Sequence, residues 1–254
     1  MRTALGAAAC HLLEALGLRI TAHVVALGDV EAPPLPEGWG PDQVARACAR
    51  STVGCCDGPT GRRMIERIEE ARQRGESLGG RVEVIAWEVP AGLGSYSQWD
   101  RRLDGRLAQG LMAIQSVKAV EIGQAEAASR AFGRQAQDVI VRRGAGLGRT
   151  TNLAGGLEGG VSNGEPVVAR LTLKPIPTQR RALPTVDLDT GQATEGRYVR
   201  SDVAVLPAAG VVAEAVLGLV LADALLEKFG GECMDDLRAA LAAYRQRMPR
   251  WEEP

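Results

Sequence analysis

The chain has 254 residues, close to half of them apolar, enough to bury a sizeable core as one large domain or two small ones. Its 30 Lys and Arg nearly cancel its 31 Asp and Glu. That balance removes the basic footprint expected of a nucleic-acid binder or a membrane-surface protein. Cys10, Cys48, Cys55, Cys56 and Cys233 are odd in number, and the adjacent pair Cys55-Cys56 has the spacing of neither a zinc site nor a redox motif, so buried reduced thiols are expected.

The first residues run straight into an amphipathic segment, with no charged stretch followed by a cleavable apolar one. A helix starting there has no room for an N-cap, which suggests a chain beginning in the middle of something. From Arg2 to Leu16, the positions Leu5, Ala8, Ala9, Leu12, Leu13 and Leu16 recur at helical spacing, and Gly17 supplies a C-terminal cap. Ile20 to Leu27 reads as a strand. Glu31 to Gly40, with Pro33, Pro34 and Pro36, reads as a loop.

Surface helices are predicted over Pro41 to Arg50 and Met64 to Arg74, the second with Met64, Ile65 and Ile68 inward. Arg81 to Val89 alternates as a strand, Pro90 to Gly94 turns the chain, and Leu103, Leu107, Leu111 and Ile114 mark another amphipathic helix. Val117 to Ile122 returns as a strand, and Gln124 to Ala128 reads helical. Glycine dominates from Gly144 to Gly164, which implies either backbone running close to a ligand or a flexible linker; the flanking strand Val167 to Leu173 favours the ligand.

After a charged excursion from Gln179 to Arg200, a long apolar helix spans Val211 to Phe229 and a last one Met234 to Arg247. The longest apolar run, Val203 to Leu226, is broken by Pro207, Glu214 and Asp223, so no membrane span is expected and the protein reads as cytoplasmic. The order implies a mixed α/β chain that is not doubly wound.

The chemistry legible without a family is modest. Gly144 to Gly148 lacks the third glycine and following helix of a dinucleotide fingerprint. Lys174-Pro175-Ile176-Pro177-Thr178 ends a strand with a cation and a hydroxyl on a stiff diproline frame, suited to a phosphate, although a strand exit with a solvated lysine is the simpler reading. Arg197, Arg200 and Asp202 could hold an anion or form a surface salt bridge. His11 and His23 read as structural, and no metal set can be assembled.

Several blocks in order resemble the chorismate synthase family. They are Gly92 to Tyr96 leading to Leu111 through Gly123, Thr151-Asn152-Leu153-Ala154-Gly155-Gly156 through Gly159 to Pro166, Lys174 to Thr178, and Arg200-Ser201-Asp202 followed by Pro207-Ala208-Ala209 and Glu214-Ala215. The match runs from about Arg2 to Trp251. It implies one domain over residues 1–254, of an α+β type with a β-α-β sandwich, lacking the family's N-terminal portion. It implies conversion of 5-enolpyruvylshikimate 3-phosphate to chorismate and phosphate by anti-1,4-elimination with reduced FMN. NADPH enters only where an intrinsic or partner flavin reductase is used. A homotetramer is implied as well.

By position, the resemblance puts Gln115, Ser116, Gly159, Lys174, Pro175, Ile176, Pro177, Thr178 and Arg200 at flavin contacts, and gives Asp202 a part in proton handling. Ser116 and Ala119 replace residues more often Ala and Gly, and the helical Gln124 to Ala128 stands where the family usually turns on a glycine. The family's GESHG and PGHAD histidine segments do not occur, and His11 and His23 do not stand at those positions. The other reading is a non-catalytic flavin-binding or subunit-interaction remnant.

Overall fold

The computed structural model describes residues 1–197, 200 and 202–249. Helix α1 (Arg2–Glu14) leads into strand β1 (Arg19–Leu27) and the short β2 (Val30–Glu31). Helices α2 (Pro41–Ala49) and α3 (Gly58–Arg74) precede β3 (Gly80–Trp87), α4 (Leu103–Met112), β4 (Val117–Ile122) and the short α5 (Ala125–Ser129). Two small hairpins follow, β5 (Ile140–Arg143) with β6 (Gly146–Arg149) and β7 (Leu157–Glu158) with β8 (Val161–Ser162). Strand β9 (Val167–Leu173), the hairpin β10 (Pro184–Val186) and β11 (Ala193–Glu195), and helices α6 (Leu206–Phe229) and α7 (Met234–Gln246) complete the chain.

The main sheet has the order β2-β1-β3-β9-β4 with every neighbour antiparallel, as a mixed chain that is not doubly wound requires. Strand alternation builds its apolar face. Val82, Val84 and Ala86 of β3 pair directly with Leu171, Ala169 and Val167 of β9, and all six are fully buried. Helix α6 lies on this face across β1 and β3, with α1 and α4 packed against its flanks. Leu103, Leu107 and Leu111 of α4 point inward with no exposure, as their spacing predicted.

Helix α6 is long and apolar enough to cross a membrane by length and composition, but 61% of its apolar window is buried inside the fold, the situation of a core helix. It starts at Leu206, five residues before the predicted start at Val211, because Pro207 sits in its first turn, where a missing N–H costs nothing. Helix α3 likewise starts at Gly58 and not at Met64. Asp57 accepts a hydrogen bond from the Thr60 amide at 2.9 Å and caps it. Its inward face is Thr60, Gly61, Met64 and Ala71, whereas Ile65, expected inward, is exposed.

Helix α1 departs further from expectation. Leu5 and Ala8 are exposed; the buried positions are Gly6 and Leu13. Gly6 lies so close to α6 that a Cβ there would sit 2.3 Å from the Ala215 Cβ and 2.5 Å from its Cα. Contact at that range selects the smallest side chain, so a count of leucines misses Gly6, although Leu13 and Leu16 are buried and Ala9 and Leu12 pack against the core. The thiols are all free, but only Cys55 is buried; Cys10, Cys48 and Cys56 are half-buried and Cys233 is exposed.

The Glu214 carboxylate of α6 accepts the Ala22 amide at 2.6 Å, closing a β1 hydrogen bond that the sheet leaves open. Burial raises its pKa, against the lowering effect of that bond. A carboxyl with a raised folded pKa loses stability as pH rises through its unfolded value of 4.5. Glu214→Gln keeps the acceptor and removes the charge. It is expected to unfold at a higher temperature than the parent at pH 7 and at the same temperature near pH 3.5, as followed by circular dichroism.

Candidate functional site

The segment Lys174 to Thr178 leaves the end of β9 and is held from two sides. The Lys174 amide donates to the Ser116 carbonyl at 2.9 Å, which ties it to the turn carrying Gln115 and Ser116. Ser116 sits at φ 68°, the left-handed region that few non-glycine residues occupy. On the other side the Ser77 hydroxyl donates to the Ile176 carbonyl at 2.6 Å. A Cβ on Gly79 would lie 2.3 Å from the Leu173 carbonyl oxygen, so the chain after α3 presses directly onto the strand exit.

These contacts frame a pocket of about 240 Å3 lined by the end of α3, by Ser77, by Thr178 to Arg180 and by Arg200 and Asp202. The Leu78 amide donates to the Val203 carbonyl at 2.7 Å, bringing the residues after Arg200 beside the α3 exit. Thr178, Arg200 and Asp202, predicted from different blocks, therefore meet in one cavity. Ser201, between the last two, lies outside the described residues. Three arginines, Arg72, Arg180 and Arg200, line the pocket together with Glu76 and Asp202, and Arg72 also donates to Glu69 at 3.1 Å. Cations with a hydroxyl at Thr178 make a donor set that fits a phosphate group.

Of the residues that the resemblance puts at the flavin or at proton handling, Thr178, Arg200 and Asp202 line this pocket, whereas Gln115, Ser116 and Lys174 to Pro177 do not; the Lys174 amide joins the last segment to Ser116. Sequence reasoning missed Arg72, Gly75 and Ser77. The only signal was Gly75 following Arg72 and Arg74, a helix stop with a basic last turn; Gly75 caps α3 at φ 72°.

Gly159 is not brought to this pocket. The carbonyl of its neighbour Gly160 accepts the Leu103 amide at 2.8 Å, at the start of α4, whereas Gln115 and Ser116 follow the end of that helix. Ten residues of α-helix, about 15 Å, lie between. Gly159 adjoins instead a cleft of about 880 Å3 lined by Glu88, Ile140, Arg149, Glu158, Asn163 and Arg245. A Cβ on Gly159 would meet nothing within 4 Å.

The glycine density has a further cause that neither ligand contact nor linker covers, namely backbone packed on backbone. A Cβ on Gly155 would lie 2.4 Å from the Gly123 nitrogen, and one on Gly156 2.4 Å from the Pro166 carbonyl oxygen. Polar side chains of the same block pin these crossings. Asn152 donates to the Pro166 carbonyl and accepts the Gly156 amide, at 2.8 and 2.7 Å. Ser162, 2% exposed, donates to the Pro90 carbonyl at 2.6 Å and accepts the Leu93 amide at 2.8 Å. Burial pushes the Asp138 carboxyl up, but hydrogen bonds from the Thr151 hydroxyl and the Ala154 and Leu153 amides outweigh it and hold the group below its ordinary value.

His23 is buried in the sheet and His11 lies exposed on α1. Among the described residues no group of three or more His, Cys, Asp or Glu is placed to hold a metal ion.

A family model for chorismate synthase matches residues 1–226. The chorismate synthase of Moorella thermoacetica is 50% identical over 246 residues, covering 96% of this chain and 63% of that protein. That of Micrococcus luteus is 46% identical over 254 residues, covering 100% of this chain and 62% of that protein. A crystal structure of a chorismate synthase matches with a TM-score of 0.83 at 38% identity, over 97% of this chain and 68% of that chain. The chain therefore spans about three fifths of the length of the curated relatives it matches.

Proposed function

Since this chain belongs to the chorismate synthase family, we propose that it forms the flavin-phosphate part of an enzyme converting 5-enolpyruvylshikimate 3-phosphate to chorismate and phosphate. The observation that carries the reading is the single pocket in which Thr178, Arg200 and Asp202 meet. In this reading the protein is cytoplasmic and works as a homotetramer, and NADPH serves only a flavin reductase, intrinsic or separate.

Reduced FMN, when bound, supplies electron density to the carbon that loses phosphate and helps remove the C6 proton. The chain's own residues bind and orient. Arg200 and the Thr178 hydroxyl hold the flavin phosphate, and Lys174, exposed at the strand exit, adds a mobile positive charge beside them. Pro175 and Pro177 fix the backbone between these two groups, so little freedom is lost when a ligand arrives. Gln115 and Ser116 border the flavin from the turn that accepts the Lys174 amide. The Asp202 carboxylate lies on the same wall, where it can take up and release a proton at its oxygen. Gly159, a helix length away, takes no part in this pocket.

Titrating the chain with FMN and with riboflavin separates the phosphate from the ring. Arg200→Ala is expected to weaken FMN binding by about 10- to 100-fold, the worth of one charge-assisted hydrogen bond, and to leave riboflavin binding within about 2-fold. Equal loss for both ligands, or none for FMN, would remove this pocket as the phosphate site.

A further inference from the structure

A dithiol stands outside the site described above. Cys48, in the last turn of α2, and Cys56, just before α3, bring their sulfurs to 3.4 Å. The adjacent pair Cys55-Cys56 drew attention in the sequence, but the partner of Cys56 is eight residues upstream. Cys55 turns away and donates to the Asp57 carbonyl at 3.5 Å. Cys48 also lies 3.5 Å from the Ala22 carbonyl oxygen and 3.6 Å from that of Gly54, which fixes its sulfur over the middle of β1.

The other face of Cys56 opens on a cavity of about 130 Å3, walled by His23, Pro34, Trp39 and Asp57. His23 is 5% exposed, and its Nδ1 has no hydrogen-bond partner among the described residues. The cavity therefore combines an apolar wall with one unmet polar group beside a sulfur. It has room for a molecule a few atoms in size; Cys48 does not line it but lies 3.4 Å behind Cys56, so the cavity leads to the pair through Cys56.

We propose that Cys48 and Cys56 form a reversible disulfide when the protein meets a small hydroperoxide. The reaction has two steps. The Cys48 sulfur attacks one peroxide oxygen, the O–O bond breaks, and Cys48 becomes a sulfenic acid while the second oxygen leaves as water or an alcohol. The Cys56 sulfur then attacks Cys48, and the hydroxyl departs with the Cys56 proton as water. Two electrons pass from the sulfur pair to the peroxide. The sulfurs need to close from 3.4 Å to about 2.05 Å, a movement that side-chain rotation supplies.

The electrostatics order the two roles. The hydrogen bond with Cys56 lowers the Cys48 pKa, against burial and the Glu214 charge, so Cys48 is the more readily ionised of the two sulfurs. The same hydrogen bond to Cys48, followed by burial and the Cys48 charge, pushes the Cys56 thiol far up. Oxidation of Cys48 removes the thiol that makes this hydrogen bond, and with it the largest cause holding the Cys56 proton. The first sulfur to react thereby releases the second.

The test is thiol mapping of the intact chain. After a brief exposure to hydrogen peroxide at pH 7, remaining thiols are alkylated and the peptides identified by mass spectrometry. The expected result is an intramolecular Cys48–Cys56 link that dithiothreitol reverses, formed at least about 10-fold faster than the exposed Cys233 thiol is lost. Cys48→Ser is expected to abolish the link and leave Cys56 alkylated. The parent map stands by itself should that variant fold poorly. A Cys55–Cys56 link, a link through Cys233, or loss of Cys233 before the pair would overturn the proposal.

Discussion

Gly6→Val is expected to lower the melting temperature by about 6–12 °C, corresponding to a cost of about 3 kcal/mol or more. A glycine inside a helix ordinarily costs about 1 kcal/mol relative to alanine, so its place in α1 calls for a reason. That reason is the crossing with α6, where any Cβ would meet the Ala215 backbone and not the tip of a flexible side chain. Gly218 of α6 repeats the pattern against α1, since a Cβ there would sit 2.6 Å from the Cys10 sulfur. Relief requires the two helices to part, and α6 also carries the apolar face of the sheet. Ala8→Val, on the exposed face of α1, should stay within about 0.5 kcal/mol of the parent. Similar melting temperatures for the two variants would disprove the close crossing.

The second large effect belongs to the outer face of the sheet. There the register aligns His23 of β1, Glu83 of β3, Arg170 of β9 and Glu121 of β4 in one row. The Arg170 Nε donates to Glu83 at 2.6 Å, and the Glu83 side chain is only 9% exposed. Removing Arg170 leaves that carboxylate buried with His23 as its remaining charged-row neighbour. The His23 contact, at 3.5 Å, is too long for a good hydrogen bond.

Burial lowers the His23 pKa, Glu83 acting against it and Arg170 with it, so in the parent the imidazole is neutral at pH 7 and Arg170 is the cation that meets Glu83. Arg170→Ala is expected to cost about 3–5 kcal/mol in urea unfolding, and a second substitution, Glu83→Leu, to restore most of it. If the double variant were no more stable than the single one, the loss would lie in packing and not in an unpaired charge. The sign for His23 is the reverse of that for Glu214. A histidine held low in the folded state weakens the fold as pH falls below its ordinary value of 6.5, because the unfolded chain takes the proton first.

What the sequence disclosed depended on the scale of the signal. Strands β4 and β9 fall on the predicted spans Val117 to Ile122 and Val167 to Leu173, because alternation with one buried face is a local property. The inward leucines of α4 were legible for the same reason. The starts of α1, α2 and α7 fall on the predicted residues as well; those of α3 and α6 come earlier, because the Asp57 cap and the first-turn Pro207 carry no hydrophobic periodicity. On α1 the buried Gly6 was missed because hydrophobic periodicity gives glycine no weight, although a close helix crossing depends on it.

At the site, Lys174 to Thr178 stood out through its prolines. Ser77 did not, because a serine that holds a distant carbonyl looks like any loop serine until the chain is folded. The Cys48–Cys56 contact was hidden similarly, by a sulfur pair that only the α2–α3 connection brings together.

The pocket beside Thr178 is approached by the C-terminal end of α3, the end at which backbone carbonyls accumulate partial negative charge. Many phosphate sites use the opposite end of a helix and borrow its fixed dipole. Here the dipole opposes an anion, and the arginines must overcome it before they attract anything. Attraction in this cavity consequently resides in long side chains within reach of water and ions, and is screened over a Debye length of about 8 Å at physiological salt. Anion capture at this surface is thus a property of the ionic medium as much as of the fold.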